Sequence, residues 1–153
     1  MVHPIPKSRN CLCCGVENPI SLNMTYYYEE NKVFADFILD KRYATSESIA
    51  HPGIAAGILI EAMAWAPACV LRHPTVMLEF NLRTLKPVPL DRKMRVIAEA
   101  VSANRWISNV QGHIVDEGGE VCFKAKGSFT VADSKAAPVN DHFEFNPGFY
   151  LPE

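Results

Sequence analysis

Neither sign of charge dominates this sequence: fifteen Lys and Arg stand against seventeen Asp and Glu over 153 residues. Without a basic excess there is no field to gather nucleic acid or an anionic membrane surface. The first residues, Met1-Val2-His3-Pro4-Ile5-Pro6-Lys7, lack the charged and then apolar order of a secretory signal, so the expected location is the cytoplasm. Cysteine is present, but five is an odd count, and in a reducing compartment free thiols are expected. That excludes a small secreted disulfide scaffold. Internal repeats and low-complexity tracts are also missing. What is there is 48% apolar and 21% charged, the composition of an ordinary globular chain, with length for one domain spanning 1–153.

One long apolar run stands out, Ile54 to Leu71 (IAAGILIEAMAWAPACVL), eighteen residues with a single charge. A membrane span needs roughly 20 apolar residues and tolerates a central carboxylate badly. This run is short, carries Glu61 in its middle and Pro67 near its end, and reads as a helix buried on all sides, with no membrane partner. Around it the sequence reads as strand. Asn23–Tyr28 and Lys32–Leu39 are β-branched and aromatic, joined by the turn-like Glu29-Glu30-Asn31. After the helix, Val76, Leu78, Phe80 and Leu82 alternate with Met77, Glu79, Asn81 and Arg83, the period of a strand with one face on a core. Pro87-Val88-Pro89 marks a strand end or an edge. Arg95–Ser102, Trp106–Val115 and Glu120–Val131 follow at hairpin spacing. Strands in antiparallel runs with one helix predict an α+β fold of five to six strands wrapped on that helix. The tail 133–153, with Phe143, Phe145, Phe149 and Tyr150, is expected to pack across a surface.

Glu61 demands an explanation, because a buried carboxylate costs several kcal/mol or takes up a proton. It is either half of an internal ion pair, with Arg72 or Arg83 as partner, or a general base or nucleophile in an apolar site. At the helix start, His51-Pro52-Gly53 offers a proline at the first turn and backbone N–H groups able to hold an oxyanion. That segment also fits a plain helix cap, and His51 is a candidate acid, base or carbonyl polariser. Cys11-Leu12-Cys13-Cys14-Gly15 contains a C-x-x-C pair, but one pair gives two ligands where structural zinc needs four. Cys69 and Cys122 lie in apolar runs and read as core residues. No metal is therefore expected.

These residues carry a resemblance. Cys11-x-x-Cys14-Gly15-x-x-Asn18-Pro19-x-x-Leu22 resembles the start of hotdog-fold proteins related to the phenylacetate-pathway acyl-CoA thioesterases. His51-Pro52-Gly53, then Glu61-Ala62-Met63-Ala64-Trp65, resembles their His-Gly-Gly helix start and acidic helix. Leu82–Leu90 and Ile114–Glu120 resemble their Pro-Val-Pro-Leu strand end and usual hairpin, so the likeness covers roughly residues 11–132. Aligned without a gap on His51, the family's carboxylate falls on Ile60 and its oxyanion glycine on Pro52, which has no N–H. Shifted by one, Gly53 takes the oxyanion position and Glu61 the base, and His51 loses its family role. The helix also resembles that of the β-hydroxyacyl-carrier-protein dehydratases, whose upstream histidine is replaced here by Glu47.

The resemblance implies an acyl-CoA thioesterase without cofactor, a homodimer or tetramer of dimers with sites at the subunit interface. A hydratase or dehydratase of acyl thioesters and a non-catalytic acyl-CoA binder are the alternatives. Which acyl group fits is not written in the sequence.

Overall fold

The computed structural model describes residues 1–132, so the expectation for the aromatic tail lies outside the described residues. Its central element is α1, Pro52–Leu71, which begins two residues earlier than the apolar run because Pro52 is already helical in φ and lacks the N–H a first turn cannot pair. Around α1 runs one antiparallel sheet. Its strands are β1 (His3–Pro4), β2 (Tyr27–Glu29), β3 (Lys32–Phe37), β6 (Thr75–Thr84), β7 (Met94–Ser102), β8 (Ser108–Asp116) and β9 (Val121–Val131). They lie in the order β1-β2-β3-β7-β8-β9-β6. A separate two-strand ladder pairs β4 (Ala44–Ser46) with β5 (Ile49–Ala50) just before the helix. The seven-stranded sheet exceeds the five to six strands expected, because β1 is a two-residue strand ending on proline that leaves no periodic trace.

The hairpin between β2 and β3 turns where the sequence placed it. Glu30 and Asn31 both have positive φ, 48° and 65°, which matches the right-handed twist of the flanking strands. Inward residues alternate along the central strands: Val33, Ala35 and Phe37 on β3, Met94, Val96 and Ala98 on β7, Val110, Gly112 and Ile114 on β8. Several are small, and so are Ala55, Ala62 and Ala66 on the helix. That lets helix and sheet approach closely: a Cβ on Gly112 would sit 2.9 Å from Leu59 Cδ1. The helix packs on β3, β6, β7, β8 and β9 at once, so it is the core element of the fold. Its length and hydropathy alone would also fit a membrane span.

β6 follows the expected alternation only in part. Phe80 and Leu82 pack against the core, but the register with β9 shifts between Met77 and Glu79. Leu78 is consequently 47% exposed and Met77 42%. This ten-residue strand pairs with β9 on one side and with no other strand among the described residues, leaving an apolar-flanked edge.

Candidate active site

Glu61 sits midway along α1, one turn before Trp65. The i, i+4 spacing puts both on one helix face, and the Trp65 indole N–H donates to Glu61 Oε1 at 3.1 Å. The other partners come from fifty residues upstream. The irregular segment between β1 and β2 crosses this face and brings Cys11 Sγ to 3.4 Å and Cys14 Sγ to 3.7 Å from the same Oε1. Its path is fixed by backbone bonds: Gly15 N–H to Cys11 O, Leu22 N–H to Leu12 O and Met24 N–H to Cys13 O, each 2.9 Å. Below it the buried Tyr26 hydroxyl donates to Ile58 O at 3.2 Å, pinning the strand approach to the helix.

Burial pushes the Glu61 carboxyl up to about 7, and negative charge on Cys11 adds to the shift; the Trp65 indole and the Cys14 thiol oppose it. Cys11 moves the other way, far below the ordinary thiol range, because the Cys13 and Cys14 thiols and backbone N–H groups converge on its sulfur. The Cys13 N–H lies 3.3 Å from it. The loop thus favours the charged form of Cys11 while burial disfavours the charged form of Glu61. Cys69, by contrast, is pushed up to about 12 by burial alone and is inert packing, as its apolar surroundings suggested.

An ion pair with Arg72 or Arg83 does not form. Arg72 is the exposed left-handed cap of α1, Arg83 is exposed on β6, and no described cation lies within salt-bridge distance of Glu61. His51 caps the helix: its Nδ1 accepts the Gly53 N–H at 2.9 Å. The Ile54 and Ala55 N–H groups go to His51 O, at 3.0 and 3.3 Å. The expected oxyanion donor at Gly53 is therefore engaged by its own cap, and is released only if the exposed His51 ring turns away. His51 and Gly53 come together, but Glu61 stands eight residues further on, about 12 Å along the axis. Two clefts, one lined by Lys86, Pro89, Arg92 and Lys93 and one by Tyr27, Phe34, Asp36 and Arg42, lie away from Glu61.

Sequence reasoning missed the contact of the cysteine loop with Glu61 and the role of Trp65. The second had a signal in the i, i+4 spacing. The first had none, since no pattern relates an irregular loop to a helix fifty residues away.

The reason for expecting no metal also changes. Two ligands from the C-x-x-C pair were counted, whereas Cys11 Sγ, Cys13 Sγ and a Glu61 oxygen lie within 4.8 Å of one another.

No protein-family model matches the chain, and no curated protein does. Solved structures match well in shape. A thioesterase superfamily protein, RHA08564, superimposes with a TM-score of 0.73 at 20% identity over 80% of this chain, which spans 60% of that protein's length. The thioesterase HI1161 from Haemophilus influenzae gives 0.68 at 20% identity, covering 85% of this chain and 89% of its own. PaaI of the E. coli phenylacetic acid degradation operon gives 0.66 at 13% identity, covering 72% and 80%. At such identities the likeness is one of fold, and it agrees with a single long helix laid across a large antiparallel sheet. The chain has the hotdog fold seen in proteins of the thioesterase superfamily.

Proposed function

We propose that the chain hydrolyses a coenzyme A thioester, with Glu61 activating water or attacking the carbonyl. The observation that carries this reading is a half-buried carboxylate with no cationic partner among the described residues, its pKa raised to about 7 chiefly by burial in the helix of a thioesterase-type fold. A group poised near pH 7 is suited to accept a proton. Structural likeness to a Streptococcus mutans protein solved with acetyl CoA, TM-score 0.62 at 15% identity, supports the ligand class. Five free cysteines agree with a reducing, cytoplasmic setting. A hydratase is disfavoured, since Glu47 is exposed where that chemistry calls for a histidine. Purified protein offered a panel of acyl-CoA esters tests the assignment by thiol release. Binding without release would identify an acyl-CoA binder, a reading favoured by the engagement of Gly53 N–H with His51.

The same reading makes the chain a homodimer or tetramer of dimers, with Gly53 of one subunit serving Glu61 of another. The free edge of β6 is the natural junction, because pairing it with a second copy removes an exposed ladder. Sedimentation at micromolar concentration is expected to give twice the monomer mass or more. A monomer that still turns over substrate overturns the shared site.

His51→Ala separates a cap from a reacting group. Loss of the cap is expected to lower stability by about 0.5–2 kcal/mol while freeing the Gly53 N–H, so hydrolysis stays within about tenfold of wild type. Inactivity equal to loss of Glu61 would place His51 in the reaction.

A further inference from the structure

The cysteine loop places more donor atoms around Glu61 than a carboxylate base requires. Cys11 Sγ, Cys13 Sγ and a Glu61 oxygen lie within 4.8 Å of one another, and Cys14 Sγ is 3.7 Å from Oε1. Tetrahedral zinc, with Zn–S near 2.3 Å and Zn–O near 2.1 Å, separates its ligands by roughly 3.5–3.8 Å. The Cys11–Glu61 and Cys14–Glu61 separations, 3.4 and 3.7 Å, already have that size. The loop is also shaped to present sulfur. The Cys13 N–H points at Cys11 Sγ from 3.3 Å, as a donor to a thiolate would, and Gly15 closes the turn by donating to Cys11 O. Cys13 and Cys14 are buried, and no cation pairs with the cluster among the described residues. Two sulfurs and a carboxylate without a cation among the described residues form a donor set for a borderline-soft divalent ion, not a hard one.

We propose that Cys11, Cys13 and Glu61 form a three-ligand zinc-binding site, with Cys14 beside it. Occupancy ties the N-terminal loop to α1 and takes Glu61 out of use as a base, so the metal-loaded protein is the silent form. Binding releases the protons of the thiols as Zn–S bonds form; no oxidant or reductant is involved. The site stands on its own geometry; only its silencing effect rests on the thioester reading.

The test uses the full chain, reduced with a phosphine, stripped with a chelator and titrated first with Co²⁺ alone, then with Zn²⁺. One equivalent of Co²⁺ is expected to bind with the near-ultraviolet sulfur-to-metal charge-transfer band, and Zn²⁺ to displace it one for one. Cys11→Ser and Cys13→Ser should each weaken both band and affinity, the latter at least about tenfold, and Glu61→Gln should weaken affinity while keeping the band. Cys122→Ser should change neither. If a loop variant fails to fold, the wild type still decides: bound Zn²⁺ should slow alkylation of the part-exposed Cys11, read by mass spectrometry. Absence of the band at millimolar Co²⁺, or binding unaffected by all three loop and helix variants, overturns the site. Because these readouts need no substrate, metal binding together with no hydrolysis by the metal-free protein overturns only the thioester reading, and hydrolysis without zinc binding overturns only this one.

Discussion

Glu61→Gln is expected to lower thioester cleavage by about a hundred- to ten-thousandfold while the fold survives. Gln keeps the volume and still accepts the Trp65 indole N–H through its carbonyl oxygen. It can neither take a proton as a base nor attack as an anion. Had Glu61 paired with an arginine, the same change would strand a charge at about 3–5 kcal/mol. With Arg72 and Arg83 both exposed and distant in role, that penalty is not expected. Rate and melting temperature measured on one variant therefore answer different questions. A lost rate at an unchanged melting temperature supports catalysis; an unchanged rate refutes it.

The pH dependence follows from the same group, measured on protein freed of metal. A base must be ionised, so the wild-type rate is expected to rise with pH through about 7 and then level, which Glu61→Gln should not reproduce. Stability runs the opposite way. The folded carboxyl titrates near 7 and the unfolded one near 4.5, so between those values the native state holds the extra proton. The contribution of this group, read as wild-type stability minus that of the Gln variant at each pH, should then fall as pH rises through that window. A wild type that gains stability from this group across the same window would contradict the burial argument.

The helix and most strands were legible because their signals are local. An eighteen-residue run with a single charge allows little else, and β7 and β8 alternate with the core at period two over most of their length. β6 was legible as a strand but not as one that shifts register, since a bulge leaves composition unchanged. At the site, Glu61 announced itself by being charged where its neighbours are not. Its surroundings were hidden, because Cys11 and Cys14 reach it through a loop with no periodicity, held mostly by backbone bonds that leave little trace in the sequence. His51 was read as either a cap or a catalytic group, and its bond to Gly53 N–H shows the cap. Motif spacing alone cannot tell whether an N–H is free.

Gly15→Ala is expected to be the most damaging change of a single methyl group in the loop. An added Cβ would meet Cys11 O at 2.4 Å, Cys11 N at 2.6 Å and Arg9 O at 2.9 Å. All three are backbone atoms, so no side chain can rotate to make room, and the turn itself must open. Opening it breaks the Gly15 N–H bond to Cys11 O and moves Cys11 away from Glu61. Overpacking of this kind costs about 1–3 kcal/mol, and the backbone nature of the clash puts Gly15 at the upper end or above. Gly57→Ala is the matched control. It lies within α1 with nothing inside 4 Å of a new Cβ, so the same methyl should stabilise the helix by about 0.5–1 kcal/mol. Urea unfolding of the two variants should give midpoints that move in opposite directions. Faster alkylation of Cys11 in the Gly15 variant would show that the loss lies in the loop. Equal midpoints for Gly15→Ala and wild type would mean that the turn is not closed as tightly as its contacts require.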